Sequence, residues 1–338
     1  MNDFPVDIVY TWVDGSDKNW LQKKNETLKK YSDFHKTDEV SGKTRFFNRD
    51  ELKYSLRSVS KFAPWIRKIF IITDNQIPVW LNINNSKIII VDHREIFKTK
   101  HLPCFNSNAI EANIHKIEEL SDNFLSFNDD FFLGRTTSIT DFYFNTGKPK
   151  LFTGKKLYRL NIKRLLTSKS IKTKNPHQYA ILNARKKIYK KYGFIVNFNL
   201  LHGIKVLNKN NLIKLEMVFP ECFENTCKHQ FRDNSDVWVI ALDAFYSIAI
   251  GENIPFLVKP YRKNYKKYHL NVVKRNRDYV FIPLNQTIDR IESKIEAIKK
   301  FHPLMFCIND YPNTEIEKYD RISKFLSHFY GDKSEFEK

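Results

Sequence analysis

Four short apolar runs, each followed by polar residues, constrain the fold of this chain more than any other feature. They are rich in β-branched and aromatic side chains, which is typical of strands. They cover residues 7–12, 68–73, 87–92 and 123–127. Helical spacing of apolar residues lies between them, at 50–62 and 108–120. Alternating strands and helices predict an α/β fold with a mainly parallel central sheet and flanking helices.

Acidic and amide residues follow these runs, and ligands of parallel sheets bind beyond the carboxyl ends of the strands. The fourth run leads into Asn128, Asp129 and Asp130, and the sequence then turns apolar again up to Gly134. Charged residues are rarely buried without a partner, so the two carboxylates predict a hard divalent cation with oxygen ligands. Because neighbouring strand residues point to opposite faces, we expect one of the pair to be a direct ligand. An ordinary strand that ends in an Asp-rich turn is the alternative.

Composition narrows the class of protein further. The chain has 9 glycines and no G-x-G-x-x-G or G-x-x-x-x-G-K-[ST] pattern, which argues against dinucleotide-binding and P-loop proteins. A net charge of +19 favours anionic partners such as nucleotides, phosphorylated sugars, anionic polymers, lipid surfaces or nucleic acid. A solubilising, lysine-rich surface would give the same surplus. The 4 cysteines lack metal-site and disulfide spacing, which fits a reducing compartment.

The chain shows no signal peptide and no apolar stretch of the roughly 20 residues that span a bilayer. We therefore expect a cytoplasmic protein, with peripheral attachment to the inner face of the cell membrane as an open alternative. We expect three parts: an α/β core at 1–147, a basic insertion with a helical region at 148–258, and a basic segment with an amphipathic helix at 259–338. Further helices are predicted at 178–192, 209–217, 236–250 and 315–329.

Four blocks of the sequence resemble, in order, the conserved blocks of the Stealth family of sugar-phosphate transferases. The first is DIVYTWVDGSD at 7–17, and the second runs from 45 to 134 with RDELKYSLRS, NSNAIE and NDD. The third comprises His202 and HQFRDNSD at 229–236, and the fourth is CIND at 307–310 with the terminal helix. The third block departs from the family's His-x-Pro-Tyr, which is here HGIK.

The resemblance implies a bacterial capsular or cell-surface polysaccharide phosphotransferase with a glycosyltransferase-A-like core, related to the animal N-acetylglucosamine-1-phosphotransferase. Such enzymes transfer a hexose- or N-acetylhexosamine-1-phosphate from a UDP-sugar to a sugar hydroxyl, form a phosphodiester and release UMP. The implied partners are the UDP-sugar, an oligo- or polysaccharide acceptor, and the inner membrane or capsule assembly machinery. A metal-dependent glycosyltransferase that releases UDP is the nearest alternative. A nucleic-acid-binding protein lacks support, because no recognition motif is present.

The same resemblance implies catalytic roles for four residues. Asp130 is expected at the metal and the reacting phosphate. His202 and His229 are candidate general bases for the acceptor hydroxyl, since imidazole titrates near neutral pH. Arg232 is expected to stabilise the phosphoryl oxygens in the transition state. Either histidine could instead be structural.

Binding roles follow for the remaining candidates. Mg²⁺ or Mn²⁺ is expected at Asp129, Asp130 and Asp310. The donor or its nucleotide is expected to contact Asp14, Asp17, Arg49, Asn75, Asn108, Glu111 and Asn309. For Asp14 and Asp17 a simple Asp-Gly turn is the alternative, and for Asn108 a helix N-cap.

Overall fold

The computed structural model describes residues 4–42, 46–153, 175–257 and 278–338. Strands within that part are β1 (Val6–Thr11), β2 (Ile69–Thr73), β3 (Ile88–Asp92), β4 (Asn123–Asn128), β5 (Phe131–Leu133), β6 (Leu151–Thr153), β7 (Lys205–Asn208), β8 (Pro255–Leu257), β9 (Tyr279–Pro283) and β10 (Met305–Asn309). Helices are α1 (Lys18–Leu28), α2 (Asp38–Ser41), α3 (Glu51–Phe62), α4 (His93–Ile96), α5 (Ser107–Glu111), α6 (Ile139–Phe142), α7 (Pro176–Tyr192), α8 (Lys209–Val218), α9 (Pro220–Cys227), α10 (Val239–Ala249), α11 (Ile288–Phe301) and α12 (Ile316–Tyr330).

A five-stranded sheet in the order β3-β2-β1-β4-β7 forms the centre of the fold. The strands β3, β2, β1 and β4 are parallel to their neighbours, and β7 pairs antiparallel with β4 at the edge. All four predicted strands are present, with ends shifted by at most one residue. The expected α/β fold with a mainly parallel sheet is confirmed.

Alternating side chains place an apolar core on each face of this sheet. Val9 and Phe70 pack with Phe124 on the face covered by α7 and α10. Their neighbours Ile8 and Ile71 pack on the opposite face, which α3 covers. Strands buried on both faces require near-continuous apolar sequence, which is what these runs supply.

A second, three-stranded sheet fixes the C-terminal region against the end of β4. It has the order β5-β10-β9, with β10 antiparallel to β5 and parallel to β9. Helices α11 and α12 cover it through a core that includes Phe132, Phe306 and Phe325. The amide of Ile308 donates to the carbonyl of Asp130 at 3.1 Å. This pairing therefore places the end of β10 beside the Asp-Asp turn.

The helix predicted at 108–120 is wrong in its extent. The structure has the short α5 and then a 3-10 turn at Ile114–Lys116. The Asn113 side chain donates to the carbonyl of Ala109 at 2.8 Å, and this carbonyl is the one its own amide would use in a continued helix. The amide of Asn113 bonds to Ile110 instead.

The other predicted helices are present as α3, α7, α8, α10 and α12, with small shifts at their ends.

The basic stretches within 148–175 and 259–277 fall largely outside the described residues, so the three-part division stays a prediction. The strand β7, from the middle part, joins the main sheet. Across the described ranges, no helix has both the length and the apolar character required to cross a bilayer.

A buried carboxylate joins the amino-terminal ends of the central strands. Asp7 is fully buried at the start of β1. It accepts hydrogen bonds from Arg67 Nε and Nη2 at 2.9 and 2.5 Å, from the Lys68 amide at 3.1 Å and from the Ser121 amide at 2.7 Å. These contacts hold the connections that lead into β2 and β4.

We predict that Asp7→Ala lowers the free energy of unfolding by about 3–5 kcal/mol, because it leaves the guanidinium and two amides without their acceptor. Denaturant titration monitored by circular dichroism measures this change. Asp122→Ala, at an exposed carboxylate beside the start of β4, is the control and should change stability by less than about 0.5 kcal/mol. Equal effects of the two substitutions would contradict the assignment.

Candidate active site

A cavity of about 530 Å³ opens at the carboxyl end of the central sheet. Its walls include residues at or just beyond the ends of four strands: Thr11 of β1, His93 after β3, Asn128 of β4 and Asn309 of β10. The antiparallel edge strand β7 contributes its first residue, Lys205. Among the polar residues that follow the predicted strands, His93 and Asn128 to Asp130 reach this cavity, whereas Asp14, Asp17 and Asn75 do not line it.

Three carboxylates line one side of this cavity: Glu51, Asp129 and Asp130. Asp129 and Asp130 form the turn between β4 and β5, so both face the cavity and the expected alternation of faces does not apply. Burial raises the pKa of all three to about 7, and their mutual repulsion adds to the shift. The cluster is unfavourable while it is ionised without a cation.

Helix α3 carries Glu51 at its start, and two serines on the same helical face attach this helix to β5. Ser55 donates to the carbonyl of Phe131 at 2.5 Å, and Ser58 accepts from the amide of Leu133 at 3.1 Å. Residues four and seven apart lie on one side of a helix, so these bonds direct that side, including Glu51, toward β5 and the Asp-Asp turn.

The oxygen atoms of this cluster fit a divalent cation. Asp130 Oδ1 is buried without a hydrogen-bond partner among the described residues, and Oδ2 accepts a weak bond from Cys307 Sγ at 3.4 Å. Buried carboxylate oxygens of this kind need a cation. Ligand atoms of Asp130, His202 and Cys307 also lie within 4.8 Å of one another, a grouping that cysteine spacing alone did not predict.

Asp310, the third predicted metal ligand, lines the cavity but has other partners. Its Oδ1 accepts from Tyr319 Oη at 2.5 Å, and its Oδ2 lies 3.8 Å from Arg49 Nε. The Arg49 guanidinium also packs over the Tyr319 ring, 3.5 Å from its centroid. Arg49 is not among the described lining residues, so its observed role is to hold Asp310.

Two cations, Lys205 and Arg232, line the cavity together with Glu111. Arg232 donates to Ser107 Oγ through Nε at 3.2 Å and Nη2 at 2.5 Å. Trp238 donates to the Glu111 carboxylate. Burial raises the pKa of Glu111, although this hydrogen bond and the two cations oppose the rise.

The two candidate histidines have different surroundings. His202 lines the cavity, packs edge-on against Phe131 and Phe281, and has Nε2 3.2 Å from Asn309 Oδ1. Its side chain is exposed to the cavity, but desolvation by the surrounding protein, together with nearby Lys205, lowers its pKa to about 4, so it is neutral at neutral pH.

His229 forms a hydrogen-bonded pair with a buried carboxylate. Its Nδ1 lies 2.7 Å from Asp236 Oδ1, and Asp236 Oδ2 accepts from Asn106 at 2.8 Å and from Asn108 at 3.3 Å. A carboxylate can only accept, so Nδ1 carries the hydrogen and Nε2 is the basic nitrogen. His229 itself is not among the described residues of the cavity wall, although Arg232 is.

The other predicted donor residues do not line the described cavity, and each has a local structural role. Asp14 accepts from the Ser16 amide at 2.9 Å, and Asp17 caps α1 by accepting from the Trp20 amide at 2.7 Å. Asn75 has φ of 56° and donates its amide to Asp92. The cap of α5 is Asn106 rather than Asn108, whose side chain instead donates to Asp236.

Sequence reasoning missed Glu51, Lys205 and Asp236 as site residues. Glu51 stands one helical turn before Ser55, but its partner strand β5 was not predicted. Lys205 looked like one basic residue among many. Asp236 closes the third resembled block, and its distance of seven residues from His229 gave no local signal of contact.

Two conserved regions match the sequence: Stealth protein conserved region 1 over residues 4–32, and conserved region 2 over residues 45–151. The capsular polysaccharide phosphotransferase LcbA of Aeromonas hydrophila is 30% identical over 98% of this chain and 85% of its own length. The chain belongs to the Stealth family. The capsular polysaccharide phosphotransferase fcs1 of Haemophilus influenzae is 40% identical over 69% of this chain and 62% of its own. This Stealth chain spans about half the length of several relatives that it matches.

Solved structures similar to this Stealth protein include two glycosyltransferases. The galactosyltransferase LgtC, in complex with donor and acceptor sugar analogues, has a TM-score of 0.41 at 8% identity, over 95% of both chains. The glycosyltransferase GlyE of Streptococcus pneumoniae has a TM-score of 0.37 at 10% identity, over 97% of this chain and 63% of its own. At these TM-scores the likeness remains at the level of the α/β class.

The carboxylate cluster predicts a pH-dependent response to Mg²⁺. Because folding raises these pKa values to about 7, the folded state holds more protons than the unfolded state from about pH 4 to 7. Stability of the metal-free protein therefore falls as pH rises through this range. Mg²⁺ relieves the repulsion of the ionised cluster, so it should raise the melting temperature more at pH 8 than at pH 6. Thermal unfolding with and without millimolar Mg²⁺ measures this difference.

Asp130→Asn should lose most of this response. Asp243→Asn is the matched control, because burial also raises the pKa of Asp243 to about 7 but the residue lies outside this cavity. It should keep the response of the wild type. Equal Mg²⁺ shifts at both pH values, or a full response in Asp130→Asn, would contradict a metal at the cluster.

Proposed function

We propose that this chain transfers a hexose- or N-acetylhexosamine-1-phosphate from a UDP-sugar to a sugar hydroxyl of a capsular or cell-surface polysaccharide. The observation that supports it most is the pairing of a carboxylate cluster with two cations in one cavity at the carboxyl end of the sheet. A diphosphate needs both a metal site and fixed positive charges. Relatives named capsular polysaccharide phosphotransferases support the same reaction.

In this reaction an acceptor oxygen attacks the phosphorus that bears the sugar. The bond from that phosphorus to the bridging oxygen breaks, and UMP leaves with the bridging oxygen and its electron pair. The hydroxyl proton passes to a base, and the product is a phosphodiester. Arg232, fixed by Ser107 at the cavity wall, stabilises the charge on the phosphoryl oxygens.

Asp129, Asp130 and Glu51 would hold Mg²⁺ or Mn²⁺, with Asp310 adjacent. A cation bound there neutralises the diphosphate and makes its phosphorus more electrophilic. Cys307, on the central strand β10 of the second sheet, is fully buried, and the carboxylates of Asp129 and Asp130 beside it are half-buried.

Of the two candidate bases we favour His229, which lies outside the described cavity wall but three residues before Arg232 on that wall. Its hydrogen bond to Asp236 fixes the tautomer with Nε2 as acceptor and stabilises the imidazolium that proton transfer creates. Desolvation by the surrounding protein and the charge of Lys205 lower the pKa of His202 to about 4, although its side chain is exposed, and a base with so low a pKa takes up a proton poorly. His202 instead contacts Asn309 on the cavity wall, and we assign it to acceptor binding.

The acceptor polymer and the surface at which the protein works are part of this proposal. A phosphodiester polymer is anionic, and the net charge of +19 attracts it over long range. The same charge would hold the protein at the inner face of the cell membrane, beside the capsule assembly machinery. The division into a 1–147 core, a 148–258 acceptor region and a 259–338 C-terminal part belongs to the same proposal.

The released nucleotide tests the reaction directly. We expect the purified protein, a panel of UDP-sugars, Mg²⁺ and capsule oligosaccharides to yield UMP, measured by anion-exchange chromatography. Asp130→Asn should lower the rate at least about 100-fold while its circular dichroism spectrum stays unchanged. Release of UDP would instead favour the alternative, a metal-dependent glycosyltransferase that attacks the anomeric carbon.

The choice of base predicts unequal effects of the two histidines. His229→Gln should lower kcat by about 100-fold or more and leave KM for the acceptor nearly unchanged. His202→Gln should act mainly on KM for the acceptor. His328→Gln, at an exposed position of α12, is the control. A larger loss of kcat in His202→Gln than in His229→Gln would move the base to His202.

A further inference from the structure

Lys205 lines the cavity, and its ammonium donates hydrogen bonds to only two carbonyls of the described residues. It is the first residue of β7 and lies opposite Ser126 of β4, which also lines the cavity. Its Nζ donates to the carbonyl of Leu201 at 2.6 Å and to the carbonyl of Gly203. A lysine has three N–H donors, so one remains for a ligand.

No carboxylate of the described residues forms an ion pair with Lys205. Two aromatic rings flank the ammonium instead, with the centroids of Phe131 and Trp238 at 5.5 and 5.7 Å. Burial lowers the pKa of Lys205 to about 8, and more distant carboxylates, Glu111 and Asp130, oppose the shift. Carbonyl and ring contacts orient the charge but leave it uncompensated.

The position of Lys205 indicates which anionic group its ammonium would bind. Phe131 follows directly after Asp130, so the ammonium that lies over its ring is close to the carboxylate cluster. A group bound by a metal at Asp130 would lie near the Lys205 ammonium, since Asp130 and Lys205 interact electrostatically. In the donor, that group is the phosphoryl that carries the sugar.

We propose that Lys205 donates a hydrogen bond to the sugar-bearing phosphoryl group of the donor diphosphate. This inference rests on the proposed function, since it names a residue for the UDP-sugar of that reaction. Lys205 thereby binds the phosphoryl group that is transferred, whereas the leaving UMP does not depend on it. A purely structural lysine, which only holds the carbonyls of residues 201 and 203, is the alternative.

Comparison of UDP with UMP isolates the second phosphoryl group without knowledge of the sugar. Isothermal titration calorimetry with Mg²⁺ should show that wild-type protein binds UDP more tightly than UMP. Lys205→Met should weaken UDP binding by about 10- to 100-fold and change UMP binding by less than about twofold. Lys205→Arg keeps a positive charge and should retain part of the preference for UDP.

A matched control is available in the same fold. Lys209 Nζ also donates to carbonyls, those of Ile117 at 2.8 Å and Glu118 at 3.0 Å, but it lies outside the cavity. Lys209→Met should keep the wild-type preference for UDP. If Lys205→Met does not fold, Lys205→Gln can still donate to the carbonyls while it lacks the charge, and it should show the same loss for UDP.

The outcomes separate this inference from the proposed function. A wild type that binds neither UDP nor UMP contradicts the proposed function, and the role of Lys205 with it. A wild type that prefers UDP, with the same preference in the folded Lys205 variant, contradicts only the role of Lys205. Equal weakening of UDP and UMP would show that the lysine acts on the cavity as a whole, and it would also overturn the inference.

Discussion

The pairing of β10 with β5 is the interaction on which the rest of the site depends. It encloses the turn of Asp129 and Asp130 between the central sheet and the second sheet. Removal from water is what raises the pKa of the two carboxyls, and it leaves Asp130 Oδ1 without a partner among the described residues. An exposed Asp-Asp turn would have neither property. Tertiary packing therefore converts a common dipeptide into a carboxyl cluster whose oxygens suit a divalent cation.

Much of the central sheet could be predicted because each strand is specified by its own short stretch of sequence. Each strand is a short apolar run that is buried on both faces, and its sequence shows this without reference to other elements. Some of the polar residues that follow the strands, among them His93 and Asn128, meet in the cavity because parallel strands end on one edge. For the same reason the Asp-Asp turn was found as a candidate site, and its place on the cavity wall agrees with that expectation.

The site residues that were not predicted reach the cavity through contacts between segments that are distant in sequence. Glu51 reaches the cluster because Ser55 and Ser58 bind β5, a three-residue strand with no periodic signal of its own. Lys205 reaches the cavity because β7 pairs antiparallel at the edge of the sheet. Asp14 and Asp17 make the contacts of a turn and of a helix cap, so their expected role in donor binding stays a prediction. Residue type alone cannot separate a capping aspartate from a ligand.

Lys205 forms no ion pair with a carboxylate of the described residues, although carboxylates and cations line the same cavity. The carboxylates of Glu51, Asp129 and Asp130 come from α3 and the β4–β5 turn, while Lys205 and Arg232 come from β7 and the loop before α10. If opposite charges were in direct contact, they would neutralise each other and leave little field for a ligand. Glu111 shows how this contact is avoided, because its carboxylate accepts from Trp238 while both cations lie near enough to affect its pKa. In the proposed reaction, the carboxylates would hold the metal while Lys205 faces the anionic diphosphate.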